Sequence, residues 1–168
     1  MNSKRSVFLA IFAAFLAAGI LVTHSAALSV STSAVNFPGL TLNGYDQILA
    51  GSTAAWQVDA SGEAGGWHAT ILATNFGNGA GGIIDVGYLE FRLADANISL
   101  VSGDPVLPTS TQTSFVPLSG TAIKFISAAS GTSDGIYDFL PEFQLTVPAE
   151  TYYGTYTNTI TIAINTGP

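Results

Sequence analysis

The sequence of 168 residues contains no cysteine and only four basic residues. Without cysteine the chain can form no disulfide bond, no thiolate metal site and no thiol nucleophile. Only 9% of the residues are charged, and eleven of them are acidic. Because an acidic surface repels phosphate backbones and anionic headgroups, we expect no nucleic-acid partner. This composition fits an exported bacterial or archaeal protein that is held together by apolar burial.

The N-terminal region has the layout of a secretory signal peptide. Lys4 and Arg5 precede an apolar run over residues 7–22, and the small residues Ser25 and Ala27 stand before the expected cleavage site. The apolar run of 16 residues is shorter than the roughly 20 residues of a membrane-spanning helix. We predict a cleaved signal peptide over residues 1–27, with an uncleaved membrane anchor as the alternative. The remaining 141 residues, 28–168, then form one mature domain with a net charge of -9 and no membrane contact.

The mature sequence predicts an all-β fold. Apolar and polar residues alternate over residues 88–93 and again over residues 156–164, with the period of two that is typical of half-buried strands. Glycine-rich and proline-containing turns separate further short strand candidates, and no stretch predicts a helix longer than one turn. We therefore expect, after the signal helix, a single antiparallel β-sandwich of about nine strands. The other strand candidates are residues 28–33, 47–49, 55–59, 67–74, 98–101, 122–127 and 143–147.

The only two tryptophans, Trp56 and Trp67, lie eleven positions apart on two strand candidates that a glycine-rich turn separates. Alternation places Trp56 on one face with Val58, and Trp67 on one face with Ala69 and Ile71. If the two strands pair, the rings can pack across them. Such rings can belong to the core or offer an exposed platform for a sugar ring. Both alternatives stay open, and Trp67 and then Trp56 are the candidate ligand-binding residues.

The mature domain shows no recognisable catalytic or metal-binding pattern. Its single histidine, His68, alternates to the face opposite Trp67, where a solvated side chain is expected rather than a catalytic base. The carboxylates of Asp134, Asp138 and Glu142 recur every four residues, a spacing that aligns side chains only on a helix. A calcium site at Asp134 or Asp138 is an alternative, although the loop lacks the EF-hand pattern. We expect no enzymatic activity, no metal site and no cofactor.

Two segments of the chain resemble the motifs of the bacterial WxL domain. The first is residues 66–71, which contain Gly66 and Trp67 and follow a strand that ends in Val58 and Asp59; the second is residues 156–164 near the C-terminus. The family pattern has Gly-Trp-x-Leu in the first segment and Trp-x-Leu in the second. This chain departs from it at two positions: Ala69 stands in place of the leucine of the first segment, and Ile162 stands in place of the tryptophan of the second. The resemblance implies a surface β-sandwich that attaches non-covalently to the cell wall through peptidoglycan.

The resemblance and the tryptophan pair together predict a non-enzymatic secreted protein of the cell surface or cell wall. Its partner would be peptidoglycan or another wall polysaccharide, with Trp67 and Trp56 stacking on sugar rings. The alternative is a structural subunit of an extracellular fibre, which would bind itself or other surface proteins by β-strand addition. Threonine-rich and apolar strands at the chain termini are suitable free edges for such assembly.

Overall fold

The structure is a computed structural model that describes residues 28–168, so the predicted signal peptide over residues 1–27 lies outside the described residues. The described part contains fourteen strands and two short 3-10 helices, Val86–Tyr88 and Asp95–Asn97. None of these helices is long and apolar enough to cross a membrane. The all-β prediction is confirmed. The strands are β1 (Ser29–Ser31), β2 (Gln47–Gly51), β3 (Trp56–Asp59), β4 (Trp67–Ala73), β5 (Phe76–Gly77), β6 (Ile83–Ile84), β7 (Leu89–Arg92), β8 (Ile98–Gly103), β9 (Thr109–Ser110), β10 (Val116–Pro117), β11 (Ile123–Ala128), β12 (Gly135–Phe139), β13 (Glu142–Val147) and β14 (Ile160–Thr166).

The strands form three antiparallel four-stranded sheets and one small hairpin. Sheet I has the order β1-β3-β12-β8, sheet II the order β10-β7-β13-β2 and sheet III the order β14-β4-β11-β9, while β5 pairs with β6. All nine strand candidates correspond to strands of the structure. The pattern missed five strands: the two-residue strands β5, β6, β9 and β10, and the longer β12. β12 is a central strand of sheet I and begins at Gly135, directly after a glycine-rich turn. A Cβ at Gly135 would overlap the carbonyl oxygen of Ser102 on β8, so the close packing of β12 on β8 requires glycine here. In the sequence, the same glycine looks like part of the preceding turn.

Aromatic side chains join the three sheets into one core. Phe125 of sheet III contacts Phe91 of sheet II edge-to-face, with 5.3 Å between ring centroids, and contacts Phe139 of sheet I at 5.8 Å. Trp56 of sheet I contacts Phe143 of sheet II, also at 5.8 Å. Each such pair contributes about 0.5–1.5 kcal/mol beyond the burial of apolar area. The sheets therefore share a single sandwich-like core rather than packing in separate pairs.

The two tryptophan-bearing strands do not pair with each other. β3 lies in sheet I between β1 and β12, and β4 lies in sheet III between β14 and β11. The condition under which the rings of Trp56 and Trp67 would pack across neighbouring strands is therefore not met. Both edges of each strand have other partners, and the loop over residues 60–66 crosses from one sheet to the other. Alternation indicated correctly which face of each strand is buried, but it carries no information about pairing.

Tyr137 gives the core a sensitivity to alkaline pH. Its hydroxyl donates to the carbonyl oxygen of Asp104 at 2.7 Å, and burial, followed by the Asp104 carboxylate, raises the pKa of Tyr137 above its usual 10.0. The phenol of Tyr137 therefore ionises more easily in the unfolded chain than in the folded one. The stability that the neutral phenol contributes is complete below pH 10 and is lost as the pH rises through the folded-state pKa. We expect Tyr137→Phe to lower the free energy of unfolding by about 1 kcal/mol at pH 7. In urea unfolding above pH 10, the variant should lose less stability with rising pH than the parent does. Equal alkaline losses in parent and variant would contradict this.

Candidate functional site

Both tryptophans are part of the core. Trp56 is 2% exposed and Trp67 is 0% exposed. The indole N–H of Trp67 donates to the carbonyl oxygen of Ser133 at 3.1 Å, and that of Trp56 donates to the carbonyl oxygen of Ser33 at 3.1 Å and to Thr53 Oγ1 at 3.2 Å. Of the two alternatives for these rings, the structure shows the core. A sugar platform requires an exposed ring face, which neither residue has, so these residues do not form a binding surface in this conformation.

An open groove of about 640 Å³ lies between residues 35–42 and residues 151–160. Phe76, Ile84 and Leu145, which are all buried, form part of its apolar floor. None of the lining residues is charged, and we call this feature the tyrosine groove. Its lining residues are Val35, Asn36, Phe37, Pro38, Gly39, Leu40, Leu42, Leu49, Phe76, Ile84, Leu145, Val147, Thr151, Tyr152, Tyr153, Gly154, Thr155, Tyr156, Thr157, Asn158 and Ile160.

The first wall of the tyrosine groove is fixed by one backbone bridge and one aromatic contact. Asn36 and Ser52 exchange two backbone hydrogen bonds of 2.8 Å. One residue further on, the Phe37 ring meets Phe76 edge-to-face with 6.5 Å between centroids. A Cβ at Gly51 would lie 2.9 Å from the Phe37 ring, so the glycine leaves room for this ring. The wall is therefore held although it contains no regular strand.

The second wall presents two exposed tyrosines. Tyr152 is 75% exposed and Tyr153 is 98% exposed, and both lie in the loop between β13 and β14. The hydroxyl of Tyr156 donates to the carbonyl oxygen of Tyr152 at 2.9 Å, which folds the loop back on itself. Two backbone hydrogen bonds between Gly77 and Thr157, of 2.9 and 3.0 Å, fasten the end of the loop to β5. The exposed rings therefore stand on an anchored loop.

The glycine-rich loop over residues 77–82 supports the loop between β13 and β14 that carries Tyr152 and Tyr153. Asn78 Oδ1 accepts hydrogen bonds from the backbone N–H groups of Ala80 and Gly82 at 2.9 and 2.8 Å, and Asn78 Nδ2 donates to the Tyr156 hydroxyl at 3.5 Å. A Cβ at Gly82 would lie 2.5 Å from that hydroxyl. The glycine therefore lets the two loops approach each other, and Asn78 links them.

The ionisable candidates from the sequence are separated and engaged with other groups. His68 lies opposite Trp67 as predicted and is half-buried; its Nδ1 is 2.6 Å from the carbonyl oxygen of Gly167. Because a carbonyl only accepts, Nδ1 carries the proton in this hydrogen bond. Asp134 accepts from the backbone N–H of Gly62 at 2.6 Å, and Asp138 accepts from the Gln57 amide at 2.8 Å. Within residues 28–168 no group of three or more such side chains could hold a metal ion.

The two segments that resemble the WxL domain lie side by side in sheet III. The β4–β14 register places Ile162 opposite Ile71 and Thr166 opposite Trp67. Comparisons of the chain with protein-family profiles, with characterised proteins and with solved structures found no match. Membership of the WxL family therefore stays a prediction from the sequence.

Tyr152 and Tyr153 were not among the candidate residues predicted from the sequence. A signal for them exists, because the two adjacent aromatic residues stand between a proline turn and Gly154. In a turn without strand alternation, two adjacent rings have no common buried face. Adjacent aromatic residues in a turn thus indicate an exposed aromatic surface more directly than the tryptophans on alternating strands do.

Proposed function

We propose that this chain is a non-enzymatic, secreted surface module that binds a neutral cell-wall glycan in the tyrosine groove. The observation that carries the proposal is the exposure of Tyr152 and Tyr153, at 75% and 98%, beside an uncharged apolar groove. An exposed phenol ring offers an apolar face to the C–H groups of a sugar ring, and its hydroxyl can bond the sugar's polar groups. The predicted export signal and the WxL resemblance support a location at the cell wall.

The charge of the domain favours a neutral ligand. All eleven acidic residues of the chain lie outside the lining of the groove. A charged group entering the groove would lose its hydration without finding an opposite charge, whereas a neutral sugar needs only hydrogen bonds. Asn36, Thr155 and Asn158 contribute amide and hydroxyl groups to the lining. The volume of about 640 Å³ lies within the range of ordinary ligand sites, so a short stretch of polysaccharide fits it.

We expect the double variant Tyr152→Ala/Tyr153→Ala to lose most of its binding to purified cell walls. Two stacked rings contribute about 1–3 kcal/mol, which corresponds to a loss of affinity of roughly 5- to 150-fold. Because both rings are exposed, thermal unfolding should stay close to that of the parent. Tyr45→Ala is the matched control, since Tyr45 is 75% exposed but does not line the groove. A folded double variant that sediments with walls as the parent does would contradict the proposal.

A competition experiment identifies the component of the wall that is bound. Soluble neutral glycan fragments, free of peptide, are added to the wall-bound parent protein. If the sugar occupies the groove, these fragments release the parent protein from the walls. They do not release any double variant that still binds, because its remaining binding does not use the groove. Release by stem peptides but not by glycan fragments would show that the ligand is a peptide and would overturn the assignment to a sugar.

A further inference from the structure

Three positions of the sequence place an asparagine or an aspartate directly before a glycine: Asn43, Asn78 and Asp134. At such a pair the nitrogen of the glycine can attack the carbonyl carbon of the preceding side chain, because glycine has no Cβ in the way. The attack forms a five-membered succinimide ring, which water opens to aspartate or isoaspartate. The structure distinguishes the three positions by how firmly each one is held.

Asn43 lies in an exposed segment that few contacts hold. All residues from 41 to 46 are exposed, and none of the backbone-to-backbone hydrogen bonds of the described chain involves residues 38–45. Gly44 has a φ of +80°, and a Cβ there would meet no atom within 4 Å, so the space around this peptide is open. The backbone N–H of Tyr45 donates to Asn43 Oδ1 at 3.0 Å, which turns the side-chain carbonyl group towards the Gly44 peptide.

Asn78 makes the same local hydrogen bond, but its surroundings hold it in place. Its Oδ1 accepts from the backbone of Gly82 as well as from Ala80, and its own N–H donates to the carbonyl oxygen of Gly82 at 3.1 Å. Its Nδ2 donates to the Tyr156 hydroxyl at 3.5 Å, and the half-buried side chain lies close to Gly154. Succinimide formation must break these contacts, because the bonded Nδ2 is the leaving group.

Asp134 is held on both sides by the sheet. Its side chain accepts from the backbone N–H of Gly62 at 2.6 Å, and its carbonyl oxygen accepts from the N–H of Asp104 at 2.9 Å. The carbonyl oxygen of Gly135, the first residue of β12, accepts from the N–H of Ala60 at 2.8 Å. The peptide between Asp134 and Gly135 therefore cannot rotate towards the side chain without disrupting the edge of sheet I.

We propose that Asn43 is a modification site at which the folded chain deamidates itself. The Gly44 nitrogen gives its proton to hydroxide and forms a bond to Cγ of Asn43. The bond from Cγ to Nδ2 breaks, and the nitrogen takes a proton from water and leaves as ammonia. Water then opens the succinimide. Addition at Cγ gives aspartate with the original main chain, and addition at the main-chain carbonyl carbon gives isoaspartate, in which the chain runs through Cγ.

The modified residue lies at the rim of the tyrosine groove. Leu42, which precedes Asn43, lines the groove. Asp46 Oδ1 accepts from the backbone N–H of Ala149 at 2.9 Å, which joins this segment to the loop that carries Tyr152. Either product adds a negative charge beside Leu42, and isoaspartate also adds one methylene group to the main chain there. The proposal does not depend on glycan binding, since the modification is detected without a ligand.

Peptide mapping by mass spectrometry tests this proposal on the folded protein, kept at mildly alkaline pH in heavy-oxygen water. The peptide with Asn43 should lose ammonia and gain one heavy oxygen, and the protein should acquire a more acidic form on ion exchange. Asn43 should react at least about tenfold faster than Asn78, which must first lose two further hydrogen bonds. Asn43→Gln is the matched control. It keeps an exposed amide, but its ring would have six members and form far more slowly, so the acidic form should be absent.

The same measurement in urea separates the effect of the fold from that of the local sequence. Both asparagines precede a glycine, so they should react at similar rates once the chain is unfolded. In the folded protein only Asn43 should keep its unfolded-state rate, whereas Asn78 should be protected. An Asn43 amide that survives in the folded protein but is lost in urea would overturn the proposal. So would an Asn78 that reacts as fast as Asn43 in the folded protein, or an acidic form that persists in Asn43→Gln.

Discussion

Trp67→Ala is expected to lower the free energy of unfolding by about 3–5 kcal/mol, the usual cost of removing a large aromatic side chain from a core. The ring is fully buried and lies 6.5 Å from the ring of Tyr137. Its loss also leaves the carbonyl oxygen of Ser133 without the indole donor. Urea unfolding followed by circular dichroism measures the effect. A variant as stable as the parent would contradict the position of Trp67 in the core.

Trp67→Phe is the matched control for this experiment. It keeps an aromatic ring in the core but loses the indole N–H, so it should cost about 1–3 kcal/mol and remain folded at room temperature. We expect the folded Trp67→Phe protein to bind cell walls as the parent does. Weak wall binding by Trp67→Ala would follow from partial unfolding, and the comparison with Trp67→Phe separates this effect from the loss of a ligand contact.

Gly66→Ala is expected to cost about 2–5 kcal/mol, the sum of conformational strain and steric overlap. Gly66 has a φ of +80°, and a Cβ there would lie 2.7 Å from the carbonyl oxygen of Ala128 and 2.9 Å from the backbone nitrogen of Ser130. Both neighbours are backbone atoms, which cannot move aside as a side-chain end can. Thermal or urea unfolding measures the loss, which should be comparable to that of Trp67→Ala.

Gly131→Ala separates the two causes of that loss. Gly131 has a similar φ of +77°, but a Cβ there would meet no atom within 4 Å. Its substitution should therefore cost only the conformational strain, about 1–2 kcal/mol. If both variants lost the same stability, the close contact of Gly66 with residues 128–130 would make no contribution and the stated reason would be wrong.

Period-two alternation predicted strands and their buried faces well. In β4 it placed Trp67, Ala69 and Ile71 on one face, and all three are buried. It did not predict that β3 and β4 lie in different sheets, because alternation reports burial and not the neighbouring strand. It also missed β12, where Gly135 is needed for close strand packing but resembles part of a turn. Strand positions are thus local properties of this sequence, whereas pairing is not.

The candidate site was less predictable than the fold. The lining of the tyrosine groove comes from separate segments, residues 35–42, Leu49, Phe76, Ile84, Leu145, Val147 and part of 151–160. No local pattern indicates that these segments meet. The two tryptophans are large and rare in this sequence, which makes them candidate binding residues, yet they share their strand faces with Val58 and Ala69, which are typical core residues. The exposed pair Tyr152 and Tyr153 lies in a turn, where alternation has no meaning. Burial of the tryptophans and exposure of the tyrosines follow from tertiary packing.

Nuclear magnetic resonance titration of the labelled protein with a soluble neutral wall-glycan fragment tests the central claim most directly. The chain has only two tryptophans, so two indole N–H signals report on Trp56 and Trp67, and the ring signals of Tyr152 and Tyr153 report on the groove. The account predicts that the tyrosine signals shift with saturation while both indole signals stay in place. Shifts of an indole signal without shifts of the two tyrosines would contradict it.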